Sequence, residues 1–258
     1  MINKQLLNPS GIVIVGGSDD LQKPGGKVLK NVIDGKFPGN LYVVNPKAET
    51  VQGIQAHHHV KDLPQVDCAI LAIAAKYCPE TVEILAKEKG TRAFVILSAG
   101  FSEENAEGAE MEKQIVKTID EVGGALIGPN CIGILTTHYN GVFTTPIPQL
   151  DSQGADLISG SGATALFIMD AGIQKGVKFS SVFSVGNSAQ IGVEEVLEYL
   201  DESFNPQTSS RVKLLYVESI ENPEKLLKHA SSLIRKGCRI AAVKSGGSAA
   251  GSRAASSH

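Results

Sequence analysis

Two consecutive α/β domains are the architecture this sequence predicts, on three observations. Short β-branched runs alternate with helical patterns along the whole chain, the signature of sheets flanked by helices. Several runs, such as "GIVIVG" and "DCAILAIA", are apolar without interruption, as expected of parallel strands covered on both faces. The alternation breaks at "TTPIPQLDSQG", where Pro146, Pro148 and Gly154 stand among polar spacers, and then restarts. A chain of 258 residues accommodates two doubly wound domains, expected over 1–147 and 148–258.

Taken in order, "GIVIVG", "NLYVVN", "DCAILAIA" and "RAFVILS" read as strands of the first half. "CPETVEILAKEKG" and "ENAEGAEMEKQIVKTIDEVG" have helical composition and length. In the second half "ADLIS", "FSSVFSVG", "RVKLLYVESI" and "RIAAVKSG" read as strands. Helices are expected between them in "GATALFIMDAGIQKG", "GVEEVLEYLDE" and "PEKLLKHASSLIRKG". Pro223 suits the first turn of the last helix. Leu226, Leu227, Ala230, Leu233 and Ile234 form its expected apolar face, with His229 off it.

A hydrophobic fraction of 42% and a charged fraction of 20% are ordinary for a globular protein. The net charge of −3 gives no reason to expect nucleic acid, which asks for a basic face. Cys68, Cys78, Cys131 and Cys238 are scattered without metal-ligand spacing and read as reduced core thiols, so no metal site is expected. "MINKQLLNPSGIVIV" lacks a secretory core and cleavage-like segment, and the run "CAILAIAA" is far short of the roughly 20 residues that span a bilayer. A cytoplasmic protein without membrane contact is the resulting expectation. The run His57, His58 and His59 is assigned to a loop, and neither His138 nor His229 has a partner suggested by spacing.

In the first half, Gly16, Gly17 and Ser18 follow the first strand, where glycines let the backbone approach a diphosphate. The spacing is not G-x-G-x-x-G, and a tight strand-turn-helix requires glycine for steric reasons as well. The second strand ends in Asn45, Pro46 and Lys47, without the Asp or Glu that holds the ribose of NAD. A lysine there suits a ribose phosphate, as in coenzyme A or NADP. "LSAGFSEE", with Ser98, Ala99 and Gly100, and "LIGPNCIGI", with Asn130, place small residues at the edge where α/β folds bind ligands. Cys131 lacks a base nearby in sequence and reads as a buried thiol.

The segments "GPNCIG", "ISGSGATA", "FSVGN", "YVESI" and "KSGGSAAGSRAASSH", in this order, resemble the nucleoside-diphosphate-forming acyl-CoA synthetases, relatives of the succinyl-CoA synthetase α subunit. The likeness covers essentially the whole chain. It implies a Rossmann-type CoA-binding domain followed by a flavodoxin-like domain that carries a phosphorylated histidine. In such enzymes acyl-CoA and phosphate give an acyl phosphate and CoA. The histidine then takes the phosphoryl group and delivers it to ADP or GDP in an ATP-grasp domain. The serine-rich loop of the acetyl-CoA synthetase branch matches "SSH", which places that histidine at His258. Glu218, after the strand "KLLYVES", matches the carboxylate that holds the second imidazole nitrogen.

A phosphohistidine carries close to two negative charges, costly to bury unpaired. Ser159, Gly160, Ser161 and Gly162 lead into an apolar helix whose first amides lack internal acceptors and so favour an anion, with hydroxyls adding charge-assisted bonds. Gly186 and Asn187 in "VGNSAQ" open the next helix similarly. By the resemblance, the family continues beyond "SSH" into an ATP-grasp domain or β subunit holding Mg and ADP/ATP or GDP/GTP. The expectation is therefore the N-terminal part of a longer synthetase, inactive without that partner. Acetyl, propionyl, succinyl, branched and aryl groups remain open as the acyl substituent, acetyl-like being the family default. The competing readings are a non-catalytic CoA-binding regulatory module and an NAD(P) oxidoreductase.

Overall fold

The computed structural model describes residues 1–246. The first half contains α1 (Lys4–Leu7), β1 (Gly11–Val15), α2 (Pro24–Asp34), β2 (Asn40–Val44), β3 (Thr50–Val51) and β4 (Ile54–His57). It continues through β5 (Cys68–Leu71), α3 (Cys78–Glu88), β6 (Ala93–Ile96), α4 (Ala106–Glu121) and β7 (Ala125–Ile127). Then follow β8 (Gly133–Leu135), β9 (Asn140–Val142), β10 (Leu150–Ser159), α5 (Gly162–Gln174) and β11 (Phe179–Ser184). The last described elements are α6 (Val193–Glu202), β12 (Val212–Val217), α7 (Pro223–Arg235) and β13 (Arg239–Lys244).

The first sheet has the order β3-β4-β2-β1-β5-β6-β7 and is parallel from β4 to β7. Its central strands are apolar throughout because both faces are covered. Ile12 and Ile14 pack on the side of Val28, Leu29 and Val32 of α2. Val13 and Val15 turn to the other side, against Val82 and Leu85 of α3 and Ile115 and Ile119 of α4. Burial of each such side chain contributes about 1.5–3 kcal/mol. The chain runs from β1 to β2 and then crosses back to β5, so the topological switch point lies between β1 and β5.

The second sheet has the order β13-β12-β10-β11-β8-β9. Strands β10, β11, β12 and β13 are parallel, and β8 pairs antiparallel with β11 and β9. The β8–β9 hairpin stands before the proline-rich stretch yet belongs to this sheet. It also touches the first half, where Asn31 Nδ2 on α2 donates to Val142 O at 2.6 Å and Thr144 O at 2.9 Å. Strand β10 begins at Leu150, inside the stretch read as a linker. Its first residues pair irregularly with β11, and the register becomes regular from Asp156 onward.

Two expectations about α7 are corrected. Its inward stripe is Leu226, His229, Ala230 and Leu233, whereas Leu227 and Ile234 are exposed at 66% and 57%. The helix rests on α6, whose Asp201 Oδ2 meets His229 Nδ1 at 2.8 Å. A polar partner on the neighbouring helix thus draws the histidine inward. Of the other histidines, His57 ends β4, His59 caps the turn Val60–Asp62, and His138 Nε2 lies 3.0 Å from Pro9 O. Among the described residues no group of three or more His, Cys, Asp or Glu side chains is placed to hold a metal, and no helix is long and apolar enough to cross a membrane.

One ion pair lies inside the second domain. Lys213 Nζ donates to Asp156 Oδ2 at 2.5 Å and to Ser210 O at 2.8 Å, while Ser181 Oγ donates to Asp156 Oδ1 at 2.6 Å. The two charged side chains are only 1% and 5% exposed. Asp156→Ala strands the ammonium and should cost about 3–5 kcal/mol in chemical denaturation, whereas an Asp156→Leu, Lys213→Met pair should recover most of that loss.

All four cysteines are free and buried. Burial pushes the thiols of Cys68, Cys78 and Cys131 up from 9.0 to about 12. Below 9.0 they are protonated whether the chain is folded or not; between 9.0 and about 12 only the unfolded chain releases their protons. Unfolding free energy should therefore fall across that window by about 1.4 kcal/mol per pH unit for each thiol, as read from urea titrations at stepped pH.

Candidate functional site

Because β1, β2, β5, β6 and β7 run in parallel, the segments that follow them emerge along one edge. Gly16, Gly17 and Ser18 leave β1 beside the switch point. Gly16 has φ +87°, and a Cβ there would lie 2.5 Å from Ala72 O. The turn folds back so tightly that a Cβ on Gly25 would lie 2.0 Å from Gly16 O. Helix α2 starts only at Pro24, beyond this folded segment. Asn45 pins the neighbouring exit to it: Nδ2 donates to Gly17 O at 2.9 Å, and Oδ1 accepts from the amides of Lys47 at 2.9 Å and Ala48 at 3.1 Å. Its side chain is thereby committed to the turn, while Pro46 and Lys47 are exposed. Further along, Ser98 Oγ donates to Ile73 O, and Gly100, with φ +105°, donates its amide to Glu103 Oε1 at 2.7 Å.

The parallel strands β10, β11 and β12 form the corresponding edge of the second domain. Ser159 ends β10 fully buried; its hydroxyl donates to Ser161 O at 2.7 Å and accepts from Ser161 N at 3.2 Å. Ser159 thus braces the turn from within. Ser161 is the N-cap of α5 and accepts from Thr164 N at 3.4 Å. The amides of Gly162 and Ala163 have no intrahelical acceptor by position and stand at the positive end of the helix. Gly162 is small because a Cβ would press on Ile132 Cγ2 at 3.0 Å. In the β10–β12 register Ser159 lies opposite Tyr216, which brings Glu218 beside Gly160 and Ser161. A Cβ on Gly160 would lie 3.5 Å from Glu218 N. Among the described residues the Glu218 carboxylate makes no hydrogen bond or ion pair.

The two edges are locked together. The amides of Asn187 and Ala189 donate to Pro129 O at 3.0 Å and Gly128 O at 3.2 Å. Asn130 Nδ2 donates to Asn187 Oδ1 at 3.3 Å. Asn187 Nδ2 in turn donates to Glu103 Oε2, to Glu112 Oε2 at 3.0 Å and to Ser102 Oγ at 3.2 Å. Gly186 has φ +55°, and a Cβ there would lie 2.2 Å from Pro129 O. Burial pushes the Glu103 carboxyl up, but the donors Asn187, Gly100 and Phe101 outweigh it and hold the group below the usual carboxylate range.

Between the edges lies a cavity of about 550 Å³. Gly160, Ser161, Gly162, Ala163, Gly186, Asn187 and Glu218 line it from the second domain, and Leu97, Glu103, Asn130 and Cys131 from the first. The structure therefore brings together Gly160–Gly162, Gly186, Asn187, Glu218 and Asn130. Gly16–Ser18, Asn45–Lys47 and Ser98–Gly100 share the sheet edge but are not in its lining. His258 lies outside the described residues. Cys131 is buried beside the cavity, its Sγ donating to Ile96 O at 3.3 Å, which accords with a structural thiol. Sequence reasoning missed Glu103; its one signal was its place in the loop after β6.

With that geometry in view, the comparisons agree on both halves. Residues 10–137 match the CoA binding domain family, and residues 153–258 match the family described as succinyl-CoA ligase like flavodoxin domain. The chain is 36% identical, over 97% of its length, to the acetate–CoA ligase [ADP-forming] II subunit alpha of Pyrococcus furiosus, and covers 53% of that protein. It is 34% identical over 99% of its length to acetate–CoA ligase [ADP-forming] I of Archaeoglobus fulgidus, of which it covers 36%. It also superposes with a TM-score of 0.88 and 29% identity on the dinucleotide forming acetyl-coenzyme A synthetase 1 of Ca. Korarchaeum cryptofilum in complex with phosphate and ADP, covering 99% of this chain and 54% of that one. The chain thus spans about a third to a half of the relatives it matches. Fold and site define a CoA-binding domain joined to a ligase-like flavodoxin domain. The two domain matches in this order, with the similarity over nearly the whole chain to ADP-forming acetate–CoA ligases, agree with the resemblance that the motif order carries.

Gly186→Ala tests the lock, since its methyl group has no space and its backbone favours glycine. It should lower stability by on the order of 3 kcal/mol in thermal or chemical denaturation.

Proposed function

We propose that the cavity is where an acyl-CoA thioester, phosphate and the imidazole of His258 meet, in the α-type part of an NDP-forming acyl-CoA synthetase. The observation that carries this reading is the placement of the Gly160–Ala163 turn and Glu218, whose carboxylate has no partner among the described residues, on one cavity that also borders the CoA-binding domain. CoA bound at the β1/β5 switch point and extended toward Asn130 would cross three strand spacings, on the order of 15 Å, to bring its thiol end to the cavity. The small residues Ser98–Gly100 then lie along its course, while Pro46 and Lys47, after β2, lie on the far side of β1, behind its start.

In this reading a phosphate oxygen attacks the thioester carbonyl carbon, the C–S bond breaks, and the CoA thiolate leaves and is protonated. The imidazole nitrogen of His258 next attacks phosphorus, and the free acid departs as the carboxylate. Glu218 accepts the hydrogen bond of the other ring nitrogen, fixing the tautomer and easing the positive charge that develops. Among the described residues no Lys, Arg or His lines the cavity, so the amides of Gly162 and Ala163 and the α5 dipole meet the phosphoryl charge. Delivery to ADP or GDP with Mg belongs to an ATP-grasp domain or β subunit. The match of residues 10–137 to a CoA binding domain favours CoA over NAD(P).

The histidine half-reaction can be followed with this chain alone. Incubation with ³²P-labelled acetyl phosphate should leave an acid-labile, alkali-stable label and release acetate. His258→Ala should abolish the label, and Glu218→Gln should slow its appearance by about tenfold or more. A label that survives His258→Ala would exclude His258 as the carrier.

A further inference from the structure

We propose that Glu103 sets the acyl selectivity of this cavity, as a fixed negative charge that rejects acyl groups bearing a carboxylate. The inference rests on the reading of the cavity as the acyl-CoA site and deepens it by naming the substrate class.

Three features of the lining carry it. First, the wall beyond the phosphate turn is apolar: Leu97, Ile132, Phe143, Leu166 and Val193 all border the cavity. An uncharged acyl chain finds a nonpolar surface there. Second, no cationic side chain lines the cavity among the described residues, so they offer an acyl carboxylate no counter-ion to replace its lost hydration. Third, Glu103 is held as the anion by donors that do not neutralise it. Its Oε1 accepts from the amides of Gly100 at 2.7 Å and Phe101 at 3.3 Å, and its Oε2 from Asn187 Nδ2. None of these donors carries a charge. Glu112 shares the same Asn187 amide at 3.0 Å and adds to the negative potential on this side. Glu218 is engaged by the phosphohistidine chemistry; Glu103 is the remaining carboxylate on the cavity, and it enters from the domain that delivers CoA. A second carboxylate brought into this partly desolvated space would meet like charge at short range.

The test uses two stable CoA thioethers of nearly equal shape, S-(3-carbamoylpropyl)-CoA and S-(3-carboxypropyl)-CoA, with free CoA as reference, titrated calorimetrically into the wild type and Glu103→Gln. The wild type should bind the neutral thioether about tenfold or more tighter than the carboxylate, a gap of about 1.4 kcal/mol or more. Glu103→Gln should close most of that gap, read as the ratio of the two thioether affinities, with free CoA as the common reference for any change that affects all ligands alike. Equal wild-type affinities for the two thioethers would overturn the proposal. So would a Glu103→Gln variant that weakens all three ligands alike, because Glu103 would then act only as a brace between the domains. If free CoA fails to bind at all, the reading of the cavity itself is wrong and the proposal falls with it.

Discussion

The contact on which the rest of the structure depends is the one between the 128–130 turn of the first domain and the 186–189 turn of the second. Each turn sits at the C-terminal edge of a parallel sheet, and such edges are where α/β folds present backbone donors to ligands. Neither edge alone encloses anything. Paired through the amides of Asn187 and Ala189, they create the cavity between Glu218 and Glu103. The contact works because Gly186 is held in a left-handed conformation with no room for a side chain, so the backbones approach directly. A side chain at that position would push the two edges apart.

In the proposed function the second domain offers a phosphoryl group amides and a helix start where a salt bridge would be the alternative. On that reading, fixed dipoles would stabilise a charge that moves from phosphate to imidazole without themselves having to move or exchange protons. A lysine in the same place would bind each anionic species tightly and hinder its release. The buried ion pair of Asp156 and Lys213 makes the contrast. It lies toward the far end of the same strands and is matched internally, charge against charge. Full pairing suits a structural element, and a carboxylate without a partner among the described residues, as at Glu218, suits a functional one.

Much of this was legible in the sequence, for identifiable reasons. Strands such as "GIVIV" declare themselves because burial on both faces demands unbroken apolar residues. The Ser159–Gly162 run is visible because a tight turn from strand into helix needs small residues in succession. What escaped reading depends on partners distant in the chain. The β8–β9 hairpin has strands too short for a periodic signal and owes its stability to β11 and to Asn31 of α2. His229 faces inward only because Asp201 waits on α6. Ser159 looked like a free hydroxyl, and the fold uses it inside the turn. Glu103 is an unremarkable loop glutamate until Asn187, over eighty residues later, is brought against it.

The most direct measurement of the central claim is a crystal structure of the protein grown with CoA and inorganic phosphate. The account predicts phosphate on the amides of Gly162 and Ala163, facing Glu218, with the CoA sulfur directed into the same cavity from the side of Asn130. Phosphate bound elsewhere, or a CoA whose thiol end points away from that space, would contradict it.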